Sequence, residues 1–306
     1  MTSMAADAPY EAFRAELVGA GLLIDSGVDG ISGRSGEYER IASALGVLFS
    51  RAGADQRASA VHFPPVMPRW VFEKTGYLES FPDLTGSIHT FAGDDRSHAE
   101  LLDKLESGQE WESALVPAEI VLRPAACHPL YPMCVGTLPE GGRRFEVHGW
   151  CFRHEPSLDP ARMQAFRMHE FVYLGTPEGA VDHRDGWIER GMSVLGSLGL
   201  AVEAVVANDP FFGRVGRMLA SNQREAELKF EIVSPICSAE KPTAIMSSNC
   251  HMDHFSVPFG IKSADGKSAH TSCIGFGVDR VVLALLHTHG LDPHTWPTAV
   301  LDRLWP

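Results

Sequence analysis

The sequence predicts an α+β fold, a mainly antiparallel β-sheet with helices packed against it, and three observations carry that expectation. Residues 143–155, RRFEVHGWCFRHE, alternate with period two, so Phe145, Val147, Gly149, Cys151 and Arg153 share one face and Glu146, His148, Trp150 and Phe152 the other. A second apolar run, HEFVYLG at 169–175, follows the polar loop 156–165, which makes the pair a hairpin with charge near its mouth. HTSCIGFG at 270–277 reads as a strand ending in glycines. It runs straight into a helix over 278–290 with Val278, Val282, Leu285 and Leu286 on one face and Gly290 at its end.

The other elements follow in chain order. Ser35 is placed to cap a helix over 37–49, where Tyr38, Ile41, Leu45, Leu48 and Phe49 recur at helical spacing. The glycine-rich stretch 26–33 has no clear strand before it and no Lys-Ser/Thr after it, so it reads as a plain loop and not a phosphate loop. Pro64, Pro65 and Pro68 break any long helix ahead of the short segment 69–77. A helix around 186–200, a strand at 227–236 and a strand or strand pair over 247–261 complete the set. There is no internal repeat, low-complexity tract or heptad run.

Composition narrows the function. The 306 residues are 44% hydrophobic, enough to bury a large core, and the balance of 26 Lys+Arg against 39 Asp+Glu gives a formal charge of −13. Such a chain repels a polyanion, which disfavours bulk nucleic-acid binding. No apolar run is long enough to cross a bilayer and the N-terminus lacks a secretory layout, so a cytoplasmic location is expected. Six cysteines (Cys127, Cys134, Cys151, Cys237, Cys250, Cys273) are too sparse for a disulfide scaffold and read as thiols or metal ligands.

Charge set on apolar strands marks the candidate chemistry: Arg153 with Glu155, Arg167 with Glu170, and Arg280 within GFGVDR. The guanidinium fork matches two phosphate oxygens and keeps its charge, so several arginines on one sheet surface suggest a triphosphate. Any one of them alone is better read as a structural ion pair.

CFRHE resembles the second motif of class II aminoacyl-tRNA synthetases, FRMHEF its returning strand and GFGVDR the third motif. FRHE, RMHEF and SSNCHMDHF together are similar to seryl-tRNA synthetases, over roughly residues 60–290, and the resemblance places Pro65 at a dimer interface. It also implies one class II catalytic domain over 1–306, with 1–59 a lead-in that has no heptad-bearing tRNA arm and 60–306 the motif-bearing core. The usual serine-binding glutamate falls on Gly175. Cys127, Glu170 and Cys273 match the zinc ligands of the atypical archaeal seryl enzymes, with Cys134 in reserve for the first position and His251 with His254 a weaker competing pair.

LRPAACHPLYP, the opening hairpin and SSNCHMDHF also resemble the bacterial amino acid:carrier-protein ligases. That resemblance implies a homodimer that condenses glycine or alanine with ATP and passes the acyl group to the phosphopantetheine thiol of a carrier protein, without tRNA. It implies roles as well. Arg153 would hold the α-phosphate, Glu155 the adenine amino group and Arg162 the β- or γ-phosphate. Phe171 would stack on the base, with Arg280 over its opposite face or on the γ-phosphate. Glu231 would help to bind Mg²⁺, and Lys229 and Asn249 would line the substrate pocket. A minimal seryl-tRNA synthetase, an adenylating amide synthetase and a non-catalytic amino-acid sensor remain open. Arg214, Arg217 and Arg224 are the expected carrier-facing patch.

Overall fold

The computed structural model describes residues 4–209, 212, 218, 220–221, 223–224 and 226–306, with side chains from residue 9 onward. Arg214 and Arg217 lie outside the described residues. The central sheet has seven strands: β1 (Ser59–His62), β2 (Arg143–Phe152), β3 (Ala165–Gly175), β4 (Glu203–Val206), β5 (Lys229–Ser234), β6 (Thr243–Met252) and β7 (His270–Gly277). Their order is β4-β5-β6-β7-β3-β2-β1. All neighbours are antiparallel except β1 and β2, which run parallel at the edge.

Period-two alternation sends each strand's residues to two different interiors. On one face, Phe171, Ile232, Met246, Ile274 and Phe276 pack under helices α1 (Gly36–Ala52), α2 (Pro177–Gly196) and α3 (Val278–His289), which supply Tyr38, Leu45, Phe49, Trp187, Val281 and Leu285. On the other, Val147, Cys151, Val172 and Cys273 meet Cys127, Leu130, Tyr131 and Phe255 from the connections. Helix α1 starts as its sequence predicts, with the Ser35 hydroxyl accepting from the Tyr38 N–H at 3.2 Å.

Four features differ from the sequence expectation. Strand β3 begins at Ala165, ahead of the expected 169, because Phe166 and Met168 continue the alternation to the hairpin mouth. Helix α2 begins at Pro177, where the Thr176 hydroxyl caps Gly179 N–H at 3.1 Å and proline fits the first turn. The stretch 247–261 is not a strand pair. Strand β6 ends at Met252, and a short helix, Ser256–Phe259, takes in Pro258 and stops at Gly260 with φ +66°. Finally, a separate sheet of Val66–Pro68, Leu115–Leu122 and Ser87–Phe91 was not expected. Among the described residues no helix is long and apolar enough to cross a membrane.

Candidate active site and metal centre

Strand register assembles the site. Lys229 lies opposite Asn249, Asn249 opposite Cys273 and Cys273 opposite Val172, so these four share one face of β5, β6, β7 and β3. The adjacent row runs Glu231, Ser247, Gly275, Glu170 and Val147. Gly275 keeps the floor open: a Cβ there would sit 2.5 Å from Met168 Cε and 3.6 Å from Glu170 Cγ.

Cys127, Glu170 and Cys273 converge at this floor, with one ligand-type atom from each within 4.8 Å of the others. All three are buried. The Glu170 carboxylate accepts from the Ala126 N–H at 3.0 Å and the Cys127 N–H at 2.9 Å, and the Cys273 thiol donates to it at 3.3 Å. A buried carboxylate has to be compensated in this way. Hydrogen bonding with Cys127 and then burial push the Cys273 thiol well above its ordinary value. The Cys127 thiol is also raised; its contact with Cys273 lowers it, but burial and the Glu170 charge outweigh that contact. Two sulfurs and a carboxylate at this spacing fit the donor types that zinc accepts.

Cys134 stands apart from the trio, buried at the far end of the turn His128–Cys134 and electrostatically coupled to Arg143. His251 and His254 do not join a metal-ligating group among the described residues. His251 Nδ1 lies 3.3 Å from the Thr271 hydroxyl, and His254 Nε2 lies 3.1 Å from the Thr75 carbonyl.

Beside the trio is a cluster of arginines. Arg153 donates to the Pro124 carbonyl at 3.2 Å and crosses the Phe166 ring at 5.5 Å. Its pKa is raised: burial alone would lower it, but Tyr77, Cys151, Asp209 and Glu155 outweigh burial. Arg280, at the start of α3, donates to the carbonyls of Ala161 at 2.8 Å and Ala244 at 3.0 Å. Burial, then the charges of Arg153 and Arg162, lower its pKa, with Glu155 and Glu231 opposing. These five groups therefore share one field. Arg162, more than half exposed on the hairpin loop, pairs with Glu155 at 3.2 Å. Lys229 is pinned between Asp209 at 2.6 Å and Glu231 at 3.1 Å. Asn249 donates toward the Ser247 hydroxyl at 3.3 Å and the Cys273 carbonyl at 3.4 Å.

Three sequence expectations are corrected by strand parity. Phe171 is not placed to stack on a base, because it lies on the helix face, stacked on Trp187 at 4.2 Å and filling the space over Gly53. Phe166 holds the position beside Arg153. Arg167 does not pair with Glu170 and does not face the arginine cluster; it grips Asp279 at 2.6 Å and Glu39 on the helix side. Gly175 ends β3 against Tyr173, away from the floor, and Glu170 occupies the floor instead. Counting in twos from Glu170 would have found Phe166. Asp209 and Tyr77 carry no local motif, and only the tertiary fold brings them near Arg153.

Residues 115–289 match the family model of the tRNA synthetase class II core domain (G, H, P, S and T). Amino acid–acyl-carrier-protein ligase 1 of Bradyrhizobium diazoefficiens is 44% identical over 280 residues, spanning 91% of this chain and 86% of that protein. The chain belongs to the amino acid–acyl-carrier-protein ligases. This ligase is also 32% identical over 200 residues to the type-2 serine–tRNA ligase of Methanopyrus kandleri, covering 60% of this chain but only 37% of that enzyme. The fold matches the solved M. kandleri seryl-tRNA synthetase, in complex with Aquifex aeolicus tRNASec, with TM-score 0.81 at 24% identity, over 95% of the ligase and 60% of that synthetase.

Proposed function

We propose that this ligase activates glycine or alanine with ATP and Mg²⁺ as the aminoacyl-adenylate and then passes the aminoacyl group to the phosphopantetheine thiol of a carrier protein, releasing AMP. The observation that carries the reading is the buried Cys127–Glu170–Cys273 trio set beside the Arg153–Arg280–Glu155 cluster on one sheet face. Cys127, Glu170 and Cys273 would hold a zinc ion, which would supply a Lewis-acid partner for an α-amino group and so favour a free amine. The chain's own residues do the rest. Arg153 neutralises the α-phosphate as the carboxylate attacks phosphorus and pyrophosphate leaves. Phe166 stacks on the adenine, Glu155 accepts from its amino group and Arg280 covers the opposite face. Arg162 exchanges its Glu155 partner for the β- or γ-phosphate, Glu231 assists Mg²⁺, and Lys229 and Asn249 close the amino-acid side. Displacement at phosphorus needs positioning and charge more than proton transfer.

The carrier's thiol is the second nucleophile, so no cysteine of this chain attacks. We place the reaction in the cytoplasm, without tRNA, in a homodimer. The exposed Val116 and Ile120 on the three-stranded sheet, whose first strand follows Pro65, and the exposed Trp70 on the helix after that strand support the dimer. Exposed Arg224 supports a local carrier-facing patch on an acidic chain.

The test is amino-acid-dependent pyrophosphate exchange across the twenty amino acids, with bound metal quantified on the same preparation. Loading is then followed on phosphopantetheinylated carrier and on bulk tRNA. Exchange confined to small amino acids, with about one zinc per chain and carrier loading alone, is expected. Serine-specific exchange with tRNA charging would overturn the reading.

A further inference from the structure

We propose that the Tyr131 hydroxyl donates a hydrogen bond to the Cys127 sulfur when the trio holds its metal, as a positioning residue for that ligand. This rests on the metal reading above. Tyr131 lies four residues beyond Cys127, in the tight 3₁₀ turn His128–Cys134 that Cys127 begins, and both side chains are buried in the same apolar cluster. Its ring is fully buried and its direction is set by stacking on Phe255, with centroids 4.3 Å apart and planes 15° from parallel, and on Phe259 at 6.0 Å. The ring would pack equally well as phenylalanine, so the hydroxyl is the feature that needs a reason.

That hydroxyl is buried and has no hydrogen-bond partner. After burial, the groups that bear on it most are Cys127, then Cys273, with Glu170 beyond them. Glu170 is already engaged by two backbone N–H groups and the Cys273 thiol. A neutral thiol is a weak acceptor, so the Cys127 thiol by itself is a poor match for that hydroxyl. A metal-bound sulfur carries negative charge and accepts well, so loading the site satisfies a group that is otherwise buried at a cost. A donor on a ligand sulfur fixes its orientation and draws charge from it, which leaves the metal more electrophilic toward an amine.

The experiment uses the full chain with Tyr131→Phe, alongside wild type and Cys273→Ala. Zinc affinity is read by chelator competition. The thiolate-to-metal charge-transfer band is read after cobalt substitution, and the melting midpoint is read on metal-free protein. Tyr131→Phe is expected to bind zinc roughly tenfold or more weakly and to shift the cobalt band. Its metal-free midpoint should be equal to or above that of wild type. Unchanged affinity and band would overturn the proposal. So would a raised KM for the amino acid with both metal readouts unchanged, since that assigns the hydroxyl to substrate. If wild type holds no stoichiometric zinc, the metal reading itself fails. If wild type holds zinc that Cys273→Ala loses while Tyr131→Phe matches wild type, only the role of Tyr131 fails.

Discussion

Strand β3 has two faces with opposite habits. On the helix side Arg167, His169 and Phe171 are fully matched: Arg167 by Asp279 and Glu39, His169 by Glu146 at 2.8 Å, Phe171 by Trp187. On the other side Phe166, Met168 and Glu170 border an open glycine floor, a cluster of arginines and two thiols. Charge is present on both faces, but the two sets are balanced differently. Arg153, Arg162 and Arg280 crowd together, which calls for an anionic ligand, whereas Arg34 and Arg167 converge on the carboxylate of Asp279. Whether an arginine here is a structural ion pair or is free to meet a ligand is therefore set by the side of the strand it occupies.

Breaking each face should have different consequences. The largest expected effect is on folding. Asp279→Ala leaves the guanidinium groups of Arg34 and Arg167 without their shared buried partner and should cost about 3–5 kcal/mol in urea unfolding. Arg153→Ala should leave unfolding nearly unchanged and lower kcat for pyrophosphate exchange by about 10²–10³-fold, the scale of one lost charge-stabilising donor. The paired substitutions Phe166→Ala and Phe171→Ala separate the two rings. The first should weaken ATP binding by about 1–3 kcal/mol, read as a raised KM. The second should show up as lost stability and not as altered KM.

The smallest effect is a pH slope on the helix side. Burial, then Arg144 and Arg190, lower His183 from 6.5 to about 3, so it stays neutral when folded. Below about pH 6.5 the unfolded chain takes up a proton that the folded chain refuses, so stability falls as pH drops toward 3. The slope approaches about 1.4 kcal/mol per pH unit for the group. Metal-free wild type and His183→Gln, compared by urea unfolding between about pH 7 and pH 5, should differ by a shallower slope in the variant. Parallel slopes would remove His183 from the account.

Much of this was legible in the chain itself. The alternation over 143–153 correctly put Arg153 on the face of Val147 and Cys151, and the Ser35 cap and the strand-to-helix passage into Arg280 appear where the spacing puts them. Cys127, Glu170 and Cys273 have no fixed mutual spacing, so only resemblance united them before strand register did. Motif matching points to Phe171 because it counts letters, while a β-strand sorts them by odd and even, and one step moves a side chain through the sheet. The three-stranded sheet escaped notice because its strands carry exposed and charged residues with no clean alternation, as Leu115–Leu122 illustrates. Tyr77 and Asp209 stood outside every pattern, since the groups they meet come from distant parts of the chain.

The hairpin loop that carries Arg162 does not hold its own shape. Gln164 donates its backbone N–H to the Gly30 carbonyl and its side-chain amide to the Asp29 carbonyl, both at 2.8 Å, and Arg34 donates to the Ala165 carbonyl at 3.0 Å. Those clasps come from the glycine-rich stretch that the sequence offers as a mere loop. Gly30 sits at φ +76°, and a Cβ there would meet Gln164 Cγ at 3.0 Å and the Gln164 backbone nitrogen at 3.4 Å, so even an alanine would strain the clasp. Damage far upstream of every recognisable motif would thus reach the nucleotide by loosening the strap that keeps its loop in place.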